Sequence, residues 1–344
     1  MLCEGSMIYA NHAGTSWPKP APVHAAVAAA LAADPGEWAE SFARHHSAVA
    51  RFFAVAADDL LLTPGCTSAL SVGVLDHPWR PGDRLIVDAL AHRALHRPAL
   101  QLRERGVVVV EARAAEVEAH LLAGPVRLVA LSAADNVTGA RIDVPAVVAL
   151  AHAHGARVLI DAAQVAGWLD REIGAWRADL VAFAGHKGPQ GPWGIGGLIL
   201  APGLVMASPR EDGTADRPWY CDVGSVDRLA LAGLAAGCGW SAERPHRLRD
   251  ALRVRERLEA ALPADAVVLG GRERVPTVAY TRPGRSVAEE VARLRERGVI
   301  ASGGLQCAPL AHRAWGTAPD GVVRLSLGPG MGAEELGRLV EAVG

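Results

Sequence analysis

Lys187 stands in the run Gly185-His186-Lys187-Gly188, directly after an apolar strand candidate, Leu180–Ala184. Asp161 closes an earlier strand candidate, Arg157–Asp161, 26 residues before it. Alone, neither residue is distinctive: a lysine after a strand is ordinarily solvated, and an aspartate at a strand end ordinarily caps the next turn. As a pair they suggest chemistry. A lysine desolvated beside other cations loses its proton and can form a Schiff base with a carbonyl. A carboxylate ending a buried strand needs a partner for its charge, and a cationic ring nitrogen is one. Gly185 and Gly188 flank the lysine and Gly191, Gly194, Gly196 and Gly197 follow it, so backbone can approach a ligand closely there. A third piece, Thr63-Pro64-Gly65-Cys66-Thr67-Ser68-Ala69, runs from the apolar Leu60–Leu62 into a helix. Such a turn offers free N–H groups and a positive helix end to a phosphate. In isolation an ordinary Ser/Thr helix cap explains it better.

These residues must be positioned by a sheet. Apolar β-branched runs alternate with alanine-rich helical stretches: Arg84–Asp88, Val107–Glu111, Val126–Ser132, Arg157–Asp161, Leu180–Ala184 and Gly197–Ala201 read as strands. His92–Arg105, Ala114–Leu122 and Val144–His154 read as helices between them. That alternation predicts an α/β fold with a mainly parallel sheet covered on both faces, binding its ligand beyond the carboxyl ends of strands. After about Ala235 the pattern changes. Helices over Arg244–Leu262, Val287–Arg297 and Gly332–Val343 surround strands at Ala266–Leu269, Thr277–Tyr280 and Val322–Ser326. The chain is therefore expected to divide into a large domain, 18–235, and a smaller α+β domain, 236–344 with 1–17.

Composition narrows the function classes. The 344 residues carry a net charge of −2, so no basic field points to nucleic acid. Neither a signal-peptide pattern nor a spanning apolar run is present, and a cytoplasmic enzyme without membrane association is expected. Five cysteines, Cys3, Cys66, Cys221, Cys238 and Cys307, are widely spaced without a CxxC pair, which suggests neither disulfides nor a metal site. Cys307 differs from the others in lying in a Gly-rich loop before Ala308-Pro309.

The run Asp161-Ala162-Ala163-Gln164 through Gly185-His186-Lys187 resembles the class V aminotransferase group of fold-type I pyridoxal 5′-phosphate (PLP) enzymes. Within it the chain is similar to the cysteine desulfurase and selenocysteine lyase family, in its branch with a short cysteine loop. Ile8-Tyr9-Ala10-Asn11-His12-Ala13-Gly14-Thr15-Ser16-Trp17-Pro18 resembles that family's N-terminal motif. Ser132-Ala133-Ala134-Asp135-Asn136-Val137-Thr138-Gly139 resembles its asparagine loop, and Gly303-Gly304-Leu305-Gln306-Cys307-Ala308-Pro309-Leu310-Ala311-His312 its cysteine loop. The resemblance implies a large domain built on a seven-stranded, mainly parallel sheet.

It also implies roles. Lys187 would carry PLP as a Schiff base, Asp161 would pair with the pyridinium nitrogen, and Gln164 would contact the ring hydroxyl. Asn136 would lie beside that hydroxyl or the substrate, and His92 would stack on the ring and shuttle protons. Cys66, Thr67 and His186 match the phosphate cup, while Ser225, in Gly224-Ser225, would reach the phosphate of a second subunit in a homodimer with shared sites. Arg324 would grip the substrate carboxylate. Cys307 would attack the sulfur of L-cysteine, hold it as a persulfide and leave L-alanine, with a sulfur-acceptor protein an open question.

Departures from the family leave alternatives. Ala184 stands where Ser or Thr is usual, Ser302 in place of an arginine, and Gln306 in place of a histidine before the cysteine. Asp227 and Gly332 replace asparagines, and the segment 34–53 is shorter than the family's. A different class V reaction (a carbon–sulfur lyase, an epimerase or an aminotransferase of specialised metabolism) is the second reading. A non-catalytic PLP-binding or sulfur-carrier protein is a third, for which Lys187, Asp161, His92 and Arg324 would be surplus.

Overall fold

The chain runs through Ile8–Tyr9 (β1), Ala21–Ala32 (α1), Trp38–Phe52 (α2), Leu60–Thr63 (β2), Cys66–Leu75 (α3), Arg84–Asp88 (β3) and Arg93–Arg103 (α4). Val108–Ala112 (β4), Val117–Leu122 (α5), Leu128–Ser132 (β5), Val144–Ala153 (α6), Arg157–Asp161 (β6) and Asp170–Ala175 (α7) follow. Then come Leu180–Ala184 (β7), Gly196–Leu200 (β8), Arg228–Ala242 (α8), Arg247–Ala260 (α9), Val267–Leu269 (β9) and Thr277–Thr281 (β10). Val287–Glu296 (α10), Val299–Ile300 (β11), Ser302–Gly304 (β12), Pro309–Trp315 (α11), Val322–Ser326 (β13) and Ala333–Val343 (α12) complete it. This computed structural model describes residues 7–204, 206 and 226–344. Ser225, with its neighbour Gly224, lies outside the described residues, as do Cys3 and Cys221.

The seven-stranded sheet has the order β2-β8-β7-β6-β5-β3-β4. All neighbouring pairs from β4 to β7 are parallel, and only β8 runs against its neighbours. Period-two alternation divides its side chains between two cores. Val158 and Ile160 of β6 join one core with Val129, Leu131, Val181 and Phe183, while Leu159 joins the other with Leu128, Ala130, Leu180 and Ala182. Asp161, two residues beyond Leu159, falls on the second face, where α3 and its Cys66 pack. Burial on both faces explains why these strands read as continuous apolar runs.

The four-stranded antiparallel sheet β12-β13-β10-β9 packs on α9, α10 and α12. Val323 and Leu325 of β13 point into that core, so alternation turns Arg324 and Ser326 toward the large sheet. β1 pairs with β11, and Asn11 bridges to Ser326, which brings the N-terminal segment to the same place. The helix expected over Arg244–Leu262 begins instead at Arg247, since Pro245 disfavours helical backbone at Arg244 before it. Before it, α8 runs unbroken across position 235 and packs against the loop after Lys187, where a Cβ at Gly237 would stand 2.5 Å from the Pro189 carbonyl oxygen.

Candidate active site

The carboxyl ends of β3, β5, β6 and β7 carry Asp88, Ser132, Asp161 and Ala184. Asp88 is fully internal: its carboxylate accepts from Leu90 N (2.8 Å) and Ser132 N (3.0 Å), and burial pushes its pKa up to about 6. It ties β3 to β5 below the site. Asp161 accepts from Ala163 N (2.9 Å) and from the Cys66 thiol (3.5 Å). Burial first, then the Asp161 charge, push that thiol well above its ordinary range. Such a thiol stays protonated and donates.

A cavity of about 340 Å³ opens over these strand ends. Its lining includes Cys66, Thr67, His92, Asn136, Asp161, Gln164, His186 and Lys187. The structure thus gathers eight of the eleven residues singled out from the sequence around one space. Burial pushes the Lys187 pKa down, Asp161 and Cys66 oppose that shift, and Arg324 adds to it. A lysine so placed gives up its proton more readily than a surface one.

The start of α3 forms one wall. Its cap, Gly65, has no side chain to occupy the first amides, and a Cβ there would meet nothing within 4 Å. The Ser/Thr cap expected from this turn in isolation is not formed. His92 does cap its helix, with Nδ1 accepting from Ala94 N (3.1 Å), yet it lines the cavity as well. Burial and the Lys187 charge lower its pKa, keeping the ring neutral. Gln164 is anchored through Nε2 to Ala13 O (3.1 Å).

Asn136 joins the cavity to Arg324 and to the Cys307 loop, which do not line it. Its Nδ2 donates to Gln306 O (2.9 Å), and its carbonyl accepts from Arg324 Nη1 (2.6 Å). Arg324, 4% exposed, also donates from Nη2 to Asn11 Oδ1 (2.9 Å), while its Nε has no partner among the described residues. Asn136 Oδ1 is likewise buried without a partner. A buried acceptor and a buried donor left unpaired beside a cavity call for a polar ligand. PLP fits this donor set: a phosphate suits the α3 amides, a ring cation suits Asp161, and a carbonyl suits Lys187.

Cys307 is exposed, and it and Gln306 both adopt left-handed backbone, φ 59° and 41°. Four hydrogen bonds hold this strained step besides those of α11. Arg93 N donates to Cys307 O (3.0 Å), Asn136 Nδ2 donates to Gln306 O, Gln306 Nε2 donates to Val322 O (3.0 Å), and Gln306 Oε1 pairs with His312 Nε2 (3.1 Å). Strain so restrained marks functional loops. Sequence reading missed Asn11, His312 and Lys19 as partners of the site; Asn11 and His312 lie inside the N-terminal and cysteine-loop motifs, while Lys19 stands just past the first and carried no signal.

Comparison with known proteins follows the same lines. The aminotransferase class-V family model matches residues 23–339. A probable cysteine desulfurase of Pseudomonas aeruginosa is 30% identical over 318 residues, covering 83% of this chain and 77% of that protein. Another from Methanothermobacter thermautotrophicus is 31% identical over 209 residues, 55% of this chain and 52% of that relative, so the match spans about half of its length. Among solved structures, the cysteine desulfurase CsdA of Escherichia coli superposes with a TM-score of 0.88 at 23% identity, covering 98% of this chain and 94% of that one. The apo cysteine desulfurase of Thermococcus onnurineus NA1 gives 0.86 at 22%, covering 97% and 93%. At such identities the structures speak to the fold.

Proposed function

Since the chain belongs to the class V aminotransferase family, whose members depend on PLP, we propose that it is a cysteine desulfurase that converts L-cysteine to L-alanine and takes the sulfur on Cys307. The observation that carries this reading is the attachment of the Cys307 loop to the cavity. The thiol's own carbonyl is held by Arg93, next to His92, and the preceding carbonyl by Asn136. A loop built only to cover the surface needs neither bond.

In this proposal Lys187 Nζ would hold the cofactor through its carbonyl carbon and, once free, would serve as the base that takes the Cα proton. Asp161 keeps the ring nitrogen protonated, and Gln164 and Asn136 meet the ring hydroxyl. Thr67, Cys66, His186 and the α3 amides hold the phosphate. When bound, PLP accepts the electron pair released at Cα. Arg324 grips the α-carboxylate, for which its unpaired Nε and the second N–H of each Nη remain as donors. His92, neutral, would move a proton at the thiol. Cys307 thiolate attacks the substrate Sγ: an S–S bond forms, the Cβ–Sγ bond breaks with its electron pair going to Cβ, a proton is added there, and Lys187 returns a proton to Cα, which completes alanine. A thiol reductant or an acceptor thiol then removes the persulfide sulfur.

Among the described residues no helix is long and apolar enough to cross a membrane. A cytoplasmic homodimer with shared sites completes the proposal. The test is incubation with L-cysteine and a reductant, with sulfide and alanine measured for the native chain and Cys307→Ala. The variant is expected to lose sulfide while retaining the cofactor. Equal sulfide and alanine from both proteins would overturn sulfur capture by Cys307, and pyruvate with ammonia would mark a β-eliminating lyase.

A further inference from the structure

The carbonyl of His186, one peptide bond from Lys187, is the most heavily solicited acceptor at the site. Ser16 N (2.9 Å), Ser16 Oγ (3.0 Å), Thr15 Oγ1 (3.1 Å) and Lys19 Nζ (2.9 Å) all reach it. Lys19 Nζ also donates to Ser16 Oγ (2.7 Å) and lies 5.3 Å from the centre of the Trp193 ring, and Trp193 lines the cavity. Lys19 is half-buried and makes no ion pair with a carboxylate among the described residues, so its charge is directed at a backbone dipole and a ring face.

Four donors compete for this one oxygen, and Lys19 is the charged one among them, so its bond is the strongest and displaces the weaker Thr15 donor. A carbonyl oxygen has two lone pairs and Thr15 Oγ1 has one proton. Thr15 Oγ1 is also 3.0 Å from His186 Nδ1. If its proton goes to the His186 carbonyl, Nδ1 must be the protonated nitrogen of a neutral ring and Nε2 is left a bare acceptor. With Lys19 and Ser16 satisfying the carbonyl, the Thr15 proton is free to go to Nδ1. The ring proton then sits on Nε2, the nitrogen that Thr15 does not engage. Burial pushes the His186 pKa down to about 4, so the ring is neutral and only one nitrogen donates. A donor at Nε2 suits an anion in the cavity, and an acceptor there repels one.

We propose that Lys19 is a positioning residue for the cofactor lysine and the phosphate cup: its ammonium holds the His186 carbonyl, fixing the peptide from which Lys187 projects and the His186 tautomer that faces the phosphate. This rests on the reading of Lys187 as the PLP lysine. Lys19 touches neither substrate nor cofactor in this role.

Binding of PLP to apoprotein tests it, followed by absorbance titration and by the circular dichroism of the bound cofactor, for Lys19→Met, Lys19→Arg and Lys187→Ala. Thermal unfolding of each apoprotein confirms the fold. Lys19→Met is expected to bind PLP about ten- to a hundredfold more weakly, with an altered dichroic band, as loss of a charge-assisted hydrogen bond implies. Lys19→Arg, which keeps charge and donors, is expected to recover most of the affinity. Native affinity and an unchanged band in Lys19→Met overturn the inference, as does equal loss in both Lys19 variants. Failure of the underlying reading looks different: Lys187→Ala would then keep the native absorbance band, whatever Lys19 does.

Discussion

The carbonyl oxygen of Cys307 accepts a hydrogen bond from the amide of Arg93 at 3.0 Å. The exposed thiol loop is therefore bonded directly to the residue after His92, and the Cys307 loop and the His92 imidazole share one support. Gln306 completes the mooring through Val322 O and His312 Nε2. Gln306→Ala removes both side-chain bonds and leaves the left-handed step at 306 and 307 held only by Arg93 N and Asn136 Nδ2. Desulfurase turnover is expected to fall about a hundredfold, as for a reacting group displaced by ~1 Å. PLP affinity, titrated by absorbance, is expected to stay native. Alkylation of the Cys307 thiol in the apoprotein should also lose its native rate, and an unchanged rate with unchanged turnover would count against the mooring.

Arg324 divides its donors between Asn136 O and Asn11 Oδ1 and keeps a buried Nε unpaired. Lysine can supply one donor direction where the guanidinium supplies a fork. Arg324→Lys is expected to raise KM for L-cysteine and to lower kcat/KM roughly a hundredfold, with kcat affected less. Steady-state kinetics beside a PLP titration measure this. Loss confined to kcat would place Arg324 away from the carboxylate.

Much of this architecture was legible in the residues. The strands Arg84–Asp88, Arg157–Asp161, Leu180–Ala184 and Val322–Ser326 appear with the bounds their apolar, β-branched runs imply. The reversal of β8 was not legible, because an apolar run buried on both faces carries no mark of direction. Lys187 and Asp161 stood out because each follows or ends such a run. Lys19 did not, since its contact with His186 joins residues 167 apart and depends on how the N-terminal segment crosses the sheet ends. Gln306 was noticed as a departure at its position. Its bond to His312, made across the first turn of α11, needed the left-handed backbone of the loop to be known.

Gly167, at φ 89°, lies against Gly188, the residue after Lys187. A Cβ on Gly188 would overlap the Ala166 carbonyl oxygen, and one on Gly167 would overlap the Gly188 backbone. This contact presses the lysine loop onto the turn that follows Asp161. Gly188→Ala is expected to cost about 3 kcal/mol or more of stability and to weaken PLP binding, since neither backbone can move away alone. Urea unfolding of apoprotein with a PLP titration checks both. Native stability in the variant would show that the two turns are not in enforced contact.

His77 supplies a pH dependence remote from the chemistry. It is 3% exposed, and burial, aided by the Arg157 and Arg127 charges and opposed by the Gly73 backbone, pushes its pKa from 6.5 down to about 4. Between those values the unfolded chain holds a proton at His77 that the folded chain refuses, so stability rises with pH across the window. The contribution is complete above about pH 6.5 and is lost as pH falls toward about 4, amounting to ~3 kcal/mol at most. Asp88 and Asp170, both pushed up to about 6 by burial, act in the opposite sense: the folded chain takes up their protons first, and their contribution declines as pH rises through that range. Comparing the native chain with His77→Gln cancels those carboxylates, along with His12 and His186, which are common to both. The stability difference between the two proteins, from urea unfolding, is expected to shift by about 2 kcal/mol in the native chain's favour from about pH 4.5 to about pH 7.5. Parallel curves would mean that His77 titrates alike in the folded and unfolded chains.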